Sequence, residues 1–174
     1  MSYVPMLWYT TWYYFVLPGA WRGEDTMATA TAHDVAAYIL QRAGQMTAMK
    51  LQKLVYYCQA WSLVWDARPL FNERIEAWVS GPVIPDLYSL HRGQFMISEW
   101  PRGNPGRLDA TAQETVNAVV EYYAGHTAQW LSDLTHAEDP WRHAREGIPE
   151  GERGDREITP AALEEYYSAL SARA

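Results

Sequence analysis

The sequence predicts a mainly α fold of the α+β type: a single compact helical domain with one small β-hairpin element. Its 174 residues, of which 48% are hydrophobic, suffice for one core. Helix caps followed by apolar stripes recur along most of the chain. One short stretch, residues 74–79, instead alternates polar and apolar side chains, which is typical of a strand.

The first two predicted helices follow the capping residues Thr31 and Thr47. Thr31 and Asp34 form a T-x-x-D cap, and Gly44 ends the first helix. The second helix, LQKLVYYCQAWSLVW, is apolar on most sides, which is typical of a central and buried helix. Cys58 lies in its apolar stripe, so we interpret this cysteine as a packing residue and not as a nucleophile.

The stretch EAWVSGPVIPDLY, residues 76–88, interrupts the helical patterns. Pro82 has no N–H to donate to a strand ladder, and Gly81 tolerates a positive φ. We therefore expect the strand to end in a tight turn at Gly81 and Pro82. Pro85 suits the first turn of the helix that follows.

The C-terminal half predicts four further helices, which begin at these caps: Thr111 with Glu114, Thr127, Asp139 with Pro140, and Thr159 with Pro160. Residues 101–109 and 149–157 are loops by composition. The second loop is charged and rich in glycine, so we expect it to be mobile.

Residues 1–26 differ from the rest of the chain, because they contain three Trp and four Tyr and no charge before Arg22. We predict an aromatic N-terminal extension at residues 1–26 and one domain at residues 27–174. Three interpretations of the extension are open: a misplaced start upstream of Met27, an aromatic partner-binding tail, or an interfacial anchor. The segment is too short for a membrane span and lacks the basic region of a signal peptide.

The composition favours a protein that binds another protein. The formal net charge is −7, with 14 Lys+Arg against 21 Asp+Glu, so we expect no direct binding of nucleic acid. A basic partner protein fits this charge better. Nine Trp and twelve Tyr against three Phe are typical of interfaces as much as of cores. The single cysteine fits the reducing cytosol, so we expect a cytoplasmic protein without membrane contact.

The sequence contains no recognisable catalytic or metal-binding constellation. His136 and His143 lack the i, i+4 spacing of a helical zinc site, and Pro140 interrupts the stretch between them. We therefore predict no catalytic residue, no metal and no cofactor. A hydrolase that uses His136 with Glu138 or Asp139 is the less favoured alternative.

Three stretches carry a resemblance to a known family: MKLQKLVYYCQAW (residues 49–61), PLFNERIEAWVSGPVIPDLY (69–88) and LTHAEDPWRHAR (134–145). In this combination and order the chain resembles the Panacea domain, the SocA-like antitoxin domain of bacterial and phage toxin–antitoxin systems. The resemblance covers about residues 33–170. The aromatic extension and the loop around Asn104 depart from the family pattern.

This resemblance implies an antitoxin that binds and neutralises a cognate toxin, encoded beside it, by protein–protein interaction. An adaptor that delivers the toxin to a AAA+ protease is the alternative, which makes such a protease a second expected partner. The resemblance also implies nine toxin-binding or motif residues: Tyr57, Trp61, Trp78, Gly81, Pro82, Val83, Tyr88, His136 and Trp141.

Two interpretations of the Gly-Pro stretch are open. A rigid turn could present Trp78 and Tyr88 to a partner with little loss of ordering entropy. Alternatively, the motif only locks the β element onto the central helix, with Trp78 and Trp141 as core residues. In that case the toxin contacts the loop at residues 101–109 or the last helix.

Overall fold

The structure, a computed structural model, describes residues 30–173. The extension at residues 1–26 and its three interpretations lie outside this range. Seven α-helices occur within it: α1 (Ala32–Ala43), α2 (Ala48–Trp65), α3 (Pro85–His91), α4 (Ala110–Tyr123), α5 (Ala128–Ala137), α6 (Asp139–Ala144) and α7 (Pro160–Ser171). The strands are β1 (Met46–Thr47), β2 (Glu76–Trp78), β3 (Gly81–Val83) and β4 (Met96–Ile97), and a 3-10 helix spans Pro105–Arg107.

The predicted mainly α fold with a small β-hairpin is confirmed. The hairpin consists of β2 and β3, and β1 pairs with β4 in a second two-stranded antiparallel sheet that the sequence did not predict. Strands of two residues carry too little alternation to be recognised in a sequence. Among residues 30–173, no helix has the length and apolar character needed to cross a membrane.

Helix α2 is the centre of the core, as its apolar surface predicts. It packs against α1, α4, α5 and α7, and nearly every side chain from Ala48 to Leu63 is buried. Cys58 is fully buried, and burial raises the pKa of its thiol far above the usual range. A buried, protonated thiol agrees with the packing role predicted for Cys58.

Four of the predicted helix caps are confirmed. The side chains of Thr31, Thr47, Thr127 and Thr159 each accept a backbone N–H in the first turn of α1, α2, α5 and α7. Asp34 completes a capping box with Thr31.

Two predicted caps are wrong. The cap of α4 is Asp109, two residues before Thr111, because the side chain of Asp109 accepts the N–H of Ala112. Helix α6 includes Asp139, and the capping position belongs to Glu138, whose side chain makes no cap hydrogen bond. The Glu138 carboxyl group instead turns into the core.

Both predicted loops pack on the helical domain. The N–H of Asn104 donates to Oδ1 of Asp34 at 2.7 Å, which holds the loop at residues 101–109 on α1. The N–H of Ala77 in β2 donates to the carbonyl of Arg156 at 2.9 Å. The end of the loop at residues 149–157, which we expected to be mobile, is therefore hydrogen-bonded along the hairpin.

Candidate functional site

The β2–β3 hairpin is the part of the fold where the three sequence motifs meet. Its register places Ala77 opposite Pro82 and Trp78 opposite Gly81. The turn therefore falls at residues 79–80. The predicted turn at Gly81 and Pro82 is wrong, because both residues belong to the return strand β3.

Pro82 is tolerated in this strand because its partner Ala77 directs both backbone groups away from it. The N–H of Ala77 donates to the carbonyl of Arg156 at 2.9 Å, and the carbonyl of Ala77 accepts from Nη1 of Arg145 at 3.0 Å. No ladder N–H is needed at position 82. Pro82 is accepted here because of tertiary contacts of Ala77, which the sequence of the strand alone does not show.

Two polar side chains of α2 hold the return strand by its backbone. Nζ of Lys53 donates to the carbonyl of Pro82 at 2.9 Å. The Gln52 amide accepts from the N–H of Ile84 at 2.8 Å and donates to the Ile84 carbonyl at 3.2 Å. Both side chains are buried, and burial lowers the pKa of Lys53 to about 7. The motif KLQKL therefore fixes the backbone of the motif GPVIP.

Helices α5 and α6 fix the other strand and the turn. Nε1 of Trp141 donates to the carbonyl of Trp78 at 2.9 Å, and the hydroxyl of Ser132 donates to the carbonyl of Ser80 at 3.2 Å. His136 stacks on Trp141, with ring centroids 4.2 Å apart. The third motif, together with Ser132 just before it, thus holds the hairpin through residues that are distant in sequence.

The conformation of Gly81 lets α2 and α5 approach the hairpin closely. Its φ is +99°, a region that side chains rarely adopt. A Cβ at this position would lie 2.7 Å from Nζ of Lys53 and 2.8 Å from Oγ1 of Thr135. Glycine is therefore required here both by the backbone angle and by the space.

A pocket of about 360 Å³ opens beside the hairpin, with this lining: Trp78, Val79, Ser80, Val83, Tyr88, Arg92 and Arg153. The rings of Trp78 and Tyr88 meet edge to face, with centroids 4.7 Å apart. Nε1 of Trp78 donates to Oε2 of Glu76 at 2.8 Å, which fixes the indole. Both rings are partly exposed, so the pocket presents an ordered aromatic surface to solvent.

Three of the nine predicted site residues line this pocket: Trp78, Val83 and Tyr88. Trp78 is partly buried and lies outside the hydrophobic core, whereas Trp141 packs against that core. Gly81 and Pro82 lie buried in the strand that forms one wall of the hairpin.

The remaining predicted residues lie behind the hairpin or in the core. Tyr57 and Trp61 are at most 1% exposed, which places them out of reach of a docking protein. Tyr57 stacks on Tyr123 with centroids 4.2 Å apart, and Nε1 of Trp61 donates to the Tyr123 hydroxyl at 3.2 Å. These two residues act as packing residues for α4.

His136 has no partner for its Nε2 within residues 30–173, although that atom is buried. Burial lowers the pKa of His136, and the charge of Lys53 lowers it further. In the same range, no cluster of three or more His, Cys, Asp or Glu side chains could hold a metal ion. His136 therefore serves here as a neutral ring packed under the hairpin.

The pocket and its support include residues that sequence reasoning missed. Arg92 and Arg153 come from segments 61 positions apart, and neither lies in a motif that singles it out. Lys53 could have been recognised from the sequence, because a charged residue on a helix that is apolar on most sides is buried and needs a hydrogen-bonding partner. Arg145 is a second buried charged residue, at the C-cap of α6, and it donates to the carbonyl of Ala77.

Comparison with known protein families shows the family to which this chain belongs. A family model described as antitoxin SocA-like, Panacea domain, matches residues 51–142. This match covers more than half of the chain and contains the whole hairpin. The chain belongs to the Panacea family of SocA-like antitoxin domains. No curated protein and no solved structure matches it.

The matched segment of this Panacea domain runs from the first turn of α2 into α6. It therefore includes Lys53, the hairpin and Trp141, which together form the support described above. Arg153 and the helix α7 lie beyond the match. The family core thus supplies the scaffold and most of the pocket, and a loop outside the match adds one guanidinium.

Proposed function

We propose that this Panacea domain is an antitoxin that binds a toxin encoded beside it and neutralises that toxin by direct protein–protein contact. The observation that carries the proposal is the open aromatic pocket on the hairpin of a SocA-like antitoxin domain. The toxin docks on this pocket, and Trp78 and Tyr88 form the centre of the contact.

The residue types of the pocket support this assignment. Trp, Tyr and Arg are the residues that most often dominate the binding energy of protein interfaces. The pocket volume of about 360 Å³ suits one large side chain of a partner, with the surrounding surface completing the interface.

The hairpin is also ordered before any partner arrives. Lys53 and Trp141 bind its backbone at 2.9 Å each, and Glu76 fixes the Trp78 indole. A preordered contact surface loses little side-chain and loop entropy on binding, which favours affinity.

Co-expression with the neighbouring toxin tests the proposal. We expect the antitoxin to restore growth, and the two purified proteins to elute as one complex in size-exclusion chromatography at micromolar concentration. A frameshifted gene serves as the control. Equal rescue by that control, or the absence of any complex, would contradict the proposal.

The same assay separates direct neutralisation from delivery to a protease. In a strain that lacks its AAA+ proteases, direct neutralisation leaves growth rescue intact and the toxin level unchanged. Loss of rescue in that strain, together with accumulation of the toxin, would instead identify the protein as an adaptor.

A further inference from the structure

In the part of the chain that the structure describes, the two arginines of the pocket have no carboxylate partner. Arg92 and Arg153 are exposed, and within residues 30–173 neither side chain makes a hydrogen bond or an ion pair. Arg153 makes a cation–π contact, in which its guanidinium carbon lies 5.5 Å from the centroid of the Trp78 ring. Arg68 on the same protein shows the contrast, because it binds Asp109 at 2.7 Å.

Among residues 30–173, no carboxylate lines the pocket. The neighbouring Glu76 is already occupied, since Oε2 accepts Nε1 of Trp78 at 2.8 Å and Oε1 lies 3.8 Å from Nε of Arg74. The pocket is therefore a local positive site, with an aromatic wall, on a chain whose net charge is −7.

We propose that this pocket binds an acidic and apolar segment of the toxin. A large apolar side chain of that segment packs on Trp78, Tyr88 and Val83, and a neighbouring Asp or Glu carboxylate pairs with Arg92 and Arg153. This inference rests on the proposed antitoxin function and specifies the chemistry of its contact. Arginine suits the role, because its planar guanidinium binds a carboxylate through two parallel hydrogen bonds.

The charge of the whole chain favours a protein segment over a nucleic acid as the occupant. A polyanion would bring many phosphates against a surface with a net charge of −7, and this repulsion opposes binding. A single carboxylate avoids this cost, because exposed charges are screened beyond roughly 8 Å at physiological ionic strength. The rest of the toxin surface can be basic, which complements the acidic remainder of the antitoxin.

Calorimetric titration of the full chain with the neighbouring toxin tests the inference. We expect the double variant Arg92→Ala/Arg153→Ala to raise Kd about tenfold or more, since two charge-assisted hydrogen-bonding groups are lost. The charge reversal Arg92→Glu/Arg153→Glu should weaken the complex further. The matched control is Arg42→Ala, which removes an exposed arginine of α1 that does not line the pocket.

The dependence on salt and on nuclease gives a second measurement. Between 50 mM and 500 mM NaCl, Kd of the wild-type complex should rise more steeply than that of Arg92→Ala/Arg153→Ala, because the pocket ion pair is screened. The complex should survive nuclease treatment. Loss of the complex after nuclease would assign the pocket to a nucleic acid and overturn the inference.

The outcomes also separate this inference from the proposed function. If the wild-type chain binds the toxin, and the pocket variant binds it with the same Kd as the control variant, the antitoxin function stands and the acidic contact is overturned. Failure of the wild-type chain to bind the toxin at all overturns both.

Discussion

The Tyr167 hydroxyl donates a 2.7 Å hydrogen bond to Oε2 of Glu138 and so joins the last helix to the start of α6. The hydroxyl of Tyr57 on α2 donates to Oε1 of the same carboxyl group at 3.4 Å. All three side chains are buried, and burial raises the pKa of Glu138 to about 8. This buried carboxyl group connects three helices behind the candidate binding pocket.

Replacing Tyr167 with Phe should destabilise the domain. The substitution leaves the ring in place but removes a donor from a buried carboxyl group, at a cost of roughly 1–3 kcal/mol. Urea unfolding followed by circular dichroism measures this cost. Tyr166→Phe is the matched control, because Tyr166 is a neighbouring, partly exposed tyrosine. Equal stabilities of the two variants would show that the bond to Glu138 contributes nothing.

Replacing Glu138 with Gln should change how stability depends on pH. The folded-state pKa of about 8 lies above the ordinary value of 4.5, so the folded protein keeps a proton that the unfolded chain releases. The stabilising contribution of Glu138 is therefore complete below pH 4.5 and is lost as pH rises towards 8. Glutamine does not titrate and keeps an oxygen that can accept from Tyr167.

We therefore expect Glu138→Gln to gain stability relative to the wild type as pH rises through this window. Urea unfolding at a series of pH values measures the difference. Glu165→Gln, at an exposed position on α7, controls for the change in net charge. A stability difference between wild type and Glu138→Gln that is constant with pH would refute the raised pKa.

The contribution of Lys53 to stability should depend on pH in the opposite direction. Its pKa falls from 10.5 to about 7 on burial, so its stabilising contribution is complete above pH 10.5 and is lost as pH falls through 7. Lys53→Met removes the titration together with the bond to Pro82. The stability of Lys53→Met relative to wild type should increase as pH is lowered from 10.5 to 7, and calorimetric melts at these pH values measure it.

Replacing Gly81 with Ala should destabilise the hairpin. The positive φ alone costs about 1–2 kcal/mol for an alanine, and the new Cβ would collide with the side chains of Lys53 and Thr135. Gly125→Ala is the control, because within residues 30–173 no atom beyond its chain neighbours lies within 4 Å of its Cβ position, and its φ is not positive. Thermal melts of both variants should show a loss for Gly81→Ala and little change for Gly125→Ala.

The helices were predictable because their signals are local. Thr47 and the apolar surface after it define α2, and the structure places both as the sequence predicts. The hairpin turn was not predictable in the same way. Pro82 is accepted in a strand only because Ala77 directs its hydrogen bonds to Arg145 and Arg156, which are distant in sequence.

The pocket was predictable only in part, for the same physical reason. Trp78, Val83 and Tyr88 lie in one motif, so their proximity follows from the hairpin and the short helix after it. Arg153 approaches Trp78 only because the loop at residues 149–157 is hydrogen-bonded along β2. A contact between a motif and a charged loop leaves no periodic signal in the sequence.

The last prediction tests whether Trp78 mainly stabilises the fold or mainly contacts the toxin. Its ring is partly exposed, so Trp78→Ala should cost about 1–2 kcal/mol of stability, less than the 3–5 kcal/mol typical of a fully buried aromatic residue. The backbone carbonyl that Trp141 binds survives the substitution. We therefore expect the variant to stay folded, which a thermal melt checks.

Binding of the toxin should respond more strongly than stability. If the ring is the centre of the interface, Trp78→Ala should weaken the complex by about 2 kcal/mol or more, or roughly 30-fold in Kd. Trp130→Ala is the matched control, since Trp130 is 38% exposed and does not line the pocket. A folded Trp78→Ala with the Kd of the Trp130→Ala control would place the toxin elsewhere, with the loop at residues 101–109 and helix α7 as the next surfaces to test.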